Sequence, residues 1–217
     1  MNIVVCVKYV PDATADRGFE SDNTVDRVGV DGLLSELDEY AVEAALKITE
    51  AEGGEVTALT VGPADAVDAV KKALQMGADK AVHVSDDAIA GSDALATSLI
   101  LAEAIKKVGQ PDIVLFGLAS TDGGMSVVPA MVAERLGLPQ VTQVSTLEVA
   151  DGNVTGRRDS DVASETLVAS IPAVVSVTDQ INEPRYPSFK GIMAAKKKPV
   201  EEMSLGDLGV DAGQVGL

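Results

Sequence analysis

Positions 112–136 constrain most strongly how this chain can fold. Their pattern predicts a short buried strand, then a loop of small residues and then a helix. The run from Asp112 to Gly117 is rich in Val, Ile, Leu and Phe, which is typical of a parallel strand covered on both faces. A helical pattern of apolar residues begins at Val127. Open α/β sheets bind nucleotides at such loops, because small residues let a phosphate reach backbone N–H groups at the positive end of a helix.

The loop by itself leaves two interpretations open. It matches neither G-x-x-x-x-G-K-[ST] nor G-x-G-x-x-G, so neither common phosphate-binding pattern identifies it. It is therefore either a nucleotide site or an ordinary turn between a strand and a helix, where Gly, Ser and Asp are frequent in any case.

The same alternation of strand and helix recurs along most of the chain. Apolar runs and helical patterns predict strands at 3–7, 55–61, 80–84, 112–117 and 171–177, and helices at 35–52, 64–76, 93–108 and 127–136. We therefore predict an α/β fold: a doubly wound, mostly parallel, Rossmann-like sheet of the adenine-nucleotide-binding kind. This domain spans residues 1–181, with a polar excursion at 14–34 and a small antiparallel β excursion at about 141–170.

Residues 182–198 differ from the rest of the chain. Five of the 17 basic residues lie here against one acid, in a protein whose formal charge is −17. Tyr186 and Phe189 are two of the six aromatic residues. An exposed aromatic residue between basic neighbours is a plausible anchor for a protein partner. The alternative is that both aromatic side chains pack this segment onto the domain.

Composition argues against several classes of partner and location. The strongly negative charge disfavours nucleic acid and anionic membranes. Trp is absent and aromatic residues make up only 3% of the chain, so stacking platforms for single strands are not expected. No apolar run approaches the roughly 18–20 residues that cross a bilayer. With no visible signal peptide and one cysteine, the expected location is cytoplasmic, without an integral membrane segment.

Residues that carry most enzyme chemistry are scarce. His83 is the only histidine, and its place in a predicted strand favours packing or hydrogen bonding in the sheet over catalysis. Cys6 lies inside the first predicted strand and is expected to be a buried thiol. No Cys/His cluster has metal-ligand spacing, and no G-x-S-x-G elbow is present. The sequence thus favours a binding or carrier role, with no catalytic residue and no metal.

Several stretches, taken in order, carry a resemblance to a known family. They are Val5–Asp12, Glu39–Leu46, Val61–Pro63, Lys72–Lys80, Val154–Asp159 through Ile171–Val175, Ile181–Tyr186 through Gly191–Lys198, and Gly206–Val210. In their order and spacing they resemble the β subunit of electron-transfer flavoproteins, the family that includes the FixA proteins. The resemblance covers nearly the whole chain.

The resemblance implies a carrier of electrons and not an enzyme. It implies a heterodimer in which an α subunit carries most of the redox-active FAD, while the β subunit buries an AMP that has no redox role. Such a protein passes electrons from acyl-CoA dehydrogenase and other flavin dehydrogenases to a downstream acceptor, as in fatty acid β-oxidation.

The resemblance also implies where AMP binds. By position, the contacts fall on Cys6, Ser35, Leu37, Asp38, Val61, Leu118, Ala119, Thr121, Asp122, Gly123, Gly124, Met125, Ser126, Val127 and Val128. Within this set, residues 122–128 are expected to wrap the phosphate. The family motif Asn-Pro-Phe/Leu-Asp is replaced here by Ser-Glu-Leu-Asp at 35–38, where Asp38 remains a candidate for the ribose or adenine end.

A second site is implied in residues 182–198, which correspond to the family's partner-recognition loop. Its expected contacts with flavin dehydrogenases are Arg185, Tyr186, Phe189, Lys190, Ile192 and Met193, with Phe189 at the position of the family's apolar anchor. Residues 199–217 are expected to be a C-terminal extension that starts an arm towards the α subunit.

Two alternatives remain at this stage. In flavin-bifurcating relatives the nucleotide site of the β subunit holds a second FAD and NADH is the electron donor, and Gly123-Gly124 could admit the larger diphosphate. Outside the family, the chain could be a homodimeric ATP-binding domain of the stress-protein type.

Overall fold

The computed structural model describes residues 1–216. Its strands are β1 (Asn2–Cys6), β2 (Tyr9–Pro11), β3 (Gly32–Leu34), β4 (Glu55–Val61), β5 (Lys80–Val84), β6 (Ile113–Phe116), β7 (Gln140–Val144), β8 (Thr146–Ala150), β9 (Asn153–Asp159), β10 (Ser164–Ser170), β11 (Ala173–Val177) and β12 (Val200–Met203). Its α-helices are α1 (Glu36–Glu52), α2 (Val67–Met76), α3 (Ala94–Val108), α4 (Val128–Leu136), α5 (Phe189–Ala195) and α6 (Leu205–Leu208).

A seven-stranded sheet forms the centre of the molecule. Its strand order is β12-β5-β4-β1-β6-β11-β7, and every neighbouring pair is parallel. The chain runs from β1 to β4 and β5 on one side, then crosses to β6 on the other side of β1. This reversal is the topological switch point at which open α/β sheets bind ligands. The predicted doubly wound α/β class is confirmed.

Both faces of this sheet are buried, which explains the continuous apolar runs in the sequence. Along β1, Ile3 and Val5 point into one core with α1 and α2, whereas Val4 and Cys6 point into a second core with α3 and α4. Alternate side chains of a strand project to opposite faces, so a strand covered on both faces is apolar at most positions.

The antiparallel excursion is smaller than the predicted 141–170. Three strands, β8 to β10, form an antiparallel sheet, but Gln140–Val144 joins the main sheet as β7, parallel to β11. Only Ser145 separates β7 from β8, so the two strands look like one run in the sequence. The side chains of Val141 and Val144 are buried in the first core, where they pack with residues that are distant in the sequence. This long-range packing, and not a local pattern, assigns β7 to the main sheet.

The prediction of a C-terminal extension at 199–217 needs a similar correction. Val200–Met203 is the edge strand β12 of the main sheet, paired in parallel with β5. Leu205, Leu208 and Val210 are buried in the second core. Most of this segment is therefore part of the domain, while position 217 lies outside the described residues. A four-residue edge strand with two central glutamates has no local pattern that predicts it.

None of the helices in residues 1–216 combines the length and apolarity that crossing a membrane would require.

Candidate functional site

The ends of three neighbouring strands bring most of the predicted nucleotide contacts to one edge of the sheet. Cys6, the last residue of β1, lies opposite Leu59 of β4 and Phe116 of β6. Val61 ends β4, and the loop that starts at Gly117 follows β6. Because all three strands are parallel, their carboxyl ends share the edge at which the topology reverses.

Asp38, in the first turn of α1, links β1 to β6 at this edge. Its Oδ2 accepts the backbone N–H of Lys8 at 2.8 Å, and the N–H of Gly117 donates to the same carboxylate. A Cβ atom on Gly117 would lie 2.6 Å from both Asp38 Oδ1 and the carbonyl oxygen of Leu37, so only glycine allows this close approach. Burial raises the pKa of Asp38 to about 7, although the two N–H donors and the Lys8 charge act in the opposite direction.

Asp122, in the loop after β6, has a fully buried side chain that is held by two cations. Lys8 Nζ lies 2.9 Å from its Oδ2, and Arg27 Nη2 lies 2.6 Å from the same atom. Burial by itself would raise the pKa of Asp122, but the charge of Lys8 and hydrogen bonds from Lys8, Ser120 and Arg27 lower it well below the usual range. The carboxylate is thus ionised and already paired, and its two ion pairs order the loop.

The excursion between β2 and β3 lies against this loop, which the sequence analysis did not predict. Arg27 reaches Asp122, and Arg17 Nη1 donates to the carbonyl oxygen of Thr121 at 2.6 Å. These contacts join positions 95 and 104 residues apart in the chain. No short-range pattern in the sequence predicts these contacts. The only available signal is that Arg17 and Arg27 are basic residues in a chain that has few of them.

Three buried hydroxyl groups lack a hydrogen-bond partner among the described residues. One is Thr60 Oγ1, near the end of β4, and the other two lie in predicted contact segments at this edge. They are Ser35 Oγ and Thr121 Oγ1, and both residues are predicted nucleotide contacts. Buried polar groups are nearly always paired, so two orphans in one place favour a missing polar ligand. Ser35 precedes α1, but its side chain does not cap that helix.

The start of α4 supplies the donors that a phosphate needs. Val127 makes no side-chain cap, so the N–H groups of Val128 and Ala130 have no acceptor within the helix. The loop reaches α4 through Gly124 and Ser126, which have φ angles of 63° and 57°. Such left-handed positions turn successive N–H groups into a concave surface that suits an anion. Together with the orphaned hydroxyls, these groups fit a ligand whose phosphate would lie at the start of α4.

The remaining predicted nucleotide contacts differ in how far their side chains are buried. The Cys6 thiol faces the second core, and burial, then the Asp38 carboxylate, raises its pKa well above the usual value, so only its backbone can meet a ligand. Val61 is partly buried and precedes a turn that His83 holds, since Nε2 donates to the carbonyl oxygens of Gly62 and Pro63 at 3.2 and 3.1 Å. Leu37, in the first turn of α1, is half-buried. In the loop after β6, Leu118 and Ala119 are half-buried, and Gly123 and Met125 are exposed.

The predicted partner-recognition loop forms an apolar surface. Tyr186 and Phe189 are 92% and 80% exposed, which excludes the alternative that they pack this segment onto the domain. Ile192 and Met193, on α5, are also exposed, and so is Lys190. A cluster of large apolar side chains in water is typical of a surface that a protein partner covers.

Arg185, which is also a predicted partner contact, is less exposed than these residues. Its guanidinium forms ion pairs with Glu43 and Glu50 of α1 at 2.7 and 2.6 Å. The resemblance of residues 182–198 to the family's recognition loop predicts Arg185 as a partner contact, and the acceptors of its guanidinium in this chain lie more than 130 residues away in the sequence.

Known proteins resemble this chain over its whole length. Residues 22–208 match the family model described as electron transfer flavoprotein domain. The chain is 50% identical over 222 residues to the electron transfer flavoprotein subunit beta of Mycobacterium leprae, covering 100% of this chain and 84% of that protein. It is 38% identical to the protein FixA of Azorhizobium caulinodans, covering 100% of this chain and 80% of that protein. It is also 38% identical to the electron transfer flavoprotein subunit beta of Thermoanaerobacterium thermosaccharolyticum, covering 100% and 84%.

Proposed function

The chain belongs to the β-subunit family of electron transfer flavoproteins, and on that premise we propose that it pairs with an α subunit and carries one structural AMP. The redox-active FAD is held mainly by the α subunit. The heterodimer carries electrons from acyl-CoA dehydrogenase and other flavin dehydrogenases to a downstream acceptor, and this subunit is a carrier rather than an enzyme. The single cysteine favours the cytoplasm as its location.

The observation that carries the nucleotide assignment is the pair of orphaned hydroxyls, Ser35 Oγ and Thr121 Oγ1, near the uncapped start of α4. In our proposal these hydroxyls bond the nucleotide, and the N–H groups of Val128 and Ala130 bond its phosphate. Asp38 orders the same edge by joining the residues after β1 to those after β6. The ligand would thus fix the switch point of the sheet, which is a structural role.

The docking assignment rests on the exposed patch that contains Tyr186 and Phe189. A large apolar side chain that becomes fully desolvated in a complex commonly supplies much of the binding free energy. We propose that Phe189 is this anchor and that the lysines around it guide the approach of the dehydrogenase.

Nucleotide and flavin content of the complex tests the proposal. The β subunit is co-purified with its α subunit, the complex is denatured, and the released nucleotides are separated and quantified. We expect one AMP and one FAD per heterodimer. A folded heterodimer that releases no adenine nucleotide other than one FAD would overturn the AMP assignment.

One observation supports the second candidate, a flavin-bifurcating β subunit with a second FAD and NADH as donor. Gly123 and Gly124 are exposed, and no atom would lie within 4 Å of a Cβ on Gly124, so the loop leaves room for a larger diphosphate. Arg17 and Arg27 add positive charge beside it. Two FAD per heterodimer, with no AMP, would favour this candidate over the first.

A further inference from the structure

Arg185 is held by α1 through a fork of charged hydrogen bonds. Its Nε and Nη2 donate to the two oxygens of Glu43 at 2.7 and 3.1 Å, while Nη1 and Nη2 donate to Glu50 at 2.6 and 3.1 Å. The Arg185 backbone N–H also donates to Glu43 at 3.2 Å. Glu43 is almost fully buried, and the hydrogen bonds that Arg185 donates to Glu50 and Glu43 raise the pKa of Arg185. A guanidinium with this many paired donors has little left to offer a partner.

Lys198, at the other end of the segment, is held by the end of α2. Its Nζ donates to the carbonyl oxygens of Leu74, Gly77 and Ala78 at 3.2, 3.1 and 2.6 Å. The Leu74 carbonyl oxygen lies in the last turn of α2, where backbone oxygens lack donors within the helix, and Gly77 and Ala78 follow directly after that helix. A cation at this end of a helix also interacts favourably with the helix dipole. All three donors of this ammonium group are therefore used inside the subunit.

The residues between these two ends are also fixed. Ser188 caps α5 by accepting the N–H of Gly191 at 3.0 Å. A Cβ on Gly191 would lie 2.6 Å from the carbonyl oxygen of Gln75, so α5 approaches the α2 backbone as closely as glycine allows. The patch carried by α5 thus has one position relative to α2.

We infer that Arg185 and Lys198 are positioning residues that hold the docking patch of residues 186–193 in its binding shape before any partner arrives. Of the five basic residues in 182–198, only Lys190, Lys196 and Lys197 then face solvent without an ion pair among the described residues. The partner accordingly presents an apolar pocket with carboxylates at its rim. This inference rests on the proposed docking function.

The physical reason is the entropy of ordering a loop. A loop that orders only on binding loses affinity, because fixing each rotamer-rich side chain offsets part of the contact energy. A loop fixed beforehand at Arg185 and Lys198 avoids most of that loss. Breaking one end should therefore weaken docking without touching any group that contacts the dehydrogenase, the nucleotide or the flavin.

The first experiment measures electron transfer from a flavin dehydrogenase to the intact heterodimer as the carrier concentration varies. Arg185→Gln and Glu50→Gln are both expected to raise KM for the carrier by about three- to tenfold, with kcat, AMP content and flavin potential unchanged. The double variant is expected to be no worse than Arg185→Gln, because both changes remove the same ion pair. Arg185→Lys is expected to restore part of the loss, since lysine keeps the charge but not the fork.

Glu50→Gln is the deciding variant, because Glu50 is exposed on α1 and its replacement leaves the core intact. If Arg185 bound the dehydrogenase directly, Glu50→Gln would leave KM unchanged, and that result would overturn the inference. Lys197→Gln is the matched control on the same segment. It is expected to reduce the salt dependence of association while leaving the order of the loop unchanged.

A second measurement separates this inference from the proposed function. Hydrogen exchange of the amides at 188–195 in the heterodimer without dehydrogenase is expected to accelerate in Arg185→Gln and in Lys198→Met, but not in Lys197→Gln. Unchanged exchange in both variants would overturn the inference even if the patch does bind dehydrogenases. Accelerated exchange together with normal docking of Phe189→Ala would instead overturn the proposed docking function.

Discussion

The carboxylate of Asp38 accepts the backbone N–H of Lys8 at 2.8 Å, inside the edge where β1 and β6 end. The backbone N–H of Gly117, which follows β6, donates to the same carboxylate. The buried side chain of Asp38 therefore joins the segments that follow β1 and β6. Burial raises its pKa to about 7. The edge of the sheet that we assign to a nucleotide therefore contains a group that titrates near neutral pH.

We expect Asp38→Asn to change how the free energy of unfolding depends on pH. The Asp38 carboxyl has a reference pKa of 3.8 and a pKa of about 7 in the fold, so the folded state binds its proton more tightly. Its protonation therefore favours folding at low pH, and that contribution is lost as pH rises from about 4 to about 7. Across this window the wild type should lose on the order of 4 kcal/mol relative to the variant. Denaturant unfolding at several pH values measures the difference, and parallel pH profiles would contradict it.

Gly117→Ala should destabilise the protein because the new methyl group would meet the Leu37 carbonyl oxygen and Asp38 Oδ1 at 2.6 Å. Relieving the overlap requires β6 and α1 to separate, with an expected loss of about 1–3 kcal/mol. The matched control is Gly123→Ala, whose methyl group would meet only the movable Ser120 hydroxyl at 3.3 Å. Thermal unfolding of both variants tests this, and equal melting temperatures would show that the close approach is unimportant.

Arg27→Gln should weaken nucleotide binding by loosening the excursion from the loop after β6. The change removes the 2.6 Å ion pair with Asp122 and lets that carboxylate repel a phosphate more strongly. We expect the Kd for AMP to rise by about three- to tenfold at low salt, with a smaller rise at high salt because ions screen the charge. Arg158→Gln, in a pair with Glu165 on the antiparallel sheet, is the control. Calorimetry on the nucleotide-depleted heterodimer measures the Kd for AMP. Equal Kd values for the Arg27→Gln and Arg158→Gln variants would contradict a role of Arg27 in nucleotide binding.

Phe189→Ala should slow electron transfer from the dehydrogenase by weakening docking. An apolar side chain that is 80% exposed here and buried in the complex is expected to contribute about 2 kcal/mol or more, or roughly a thirtyfold rise in KM. AMP and FAD content should not change, because Phe189 lies outside the nucleotide edge. Val162→Ala, at a similarly exposed apolar position in the turn between β9 and β10, is the control. Unaltered transfer kinetics in Phe189→Ala would remove the anchor assignment.

The sequence predicted the main strands and helices closely because their signals are local. The run at 55–61 matches β4, and 80–84 matches β5, since most residues of these two strands, which are buried on both faces, are apolar or small. The ends of helices could also be predicted from local residues, because Asp93 caps α3 and Gly77 ends α2. The sequence could not divide β7 from β8, because which sheet a short strand joins depends on its neighbours in space.

Sequence by itself therefore determined the fold class, the family and the edge of the sheet where a nucleotide could bind, since hydrophobic period and motif order are properties of the chain alone. Only the tertiary structure decided what the charged side chains do. It paired Arg185 with Glu43 and Glu50, and it brought Lys8 and Arg27 to Asp122. Ion pairs between residues about a hundred positions apart leave no periodic signal, because a charged side chain on a surface helix or loop looks the same whether or not a partner reaches it.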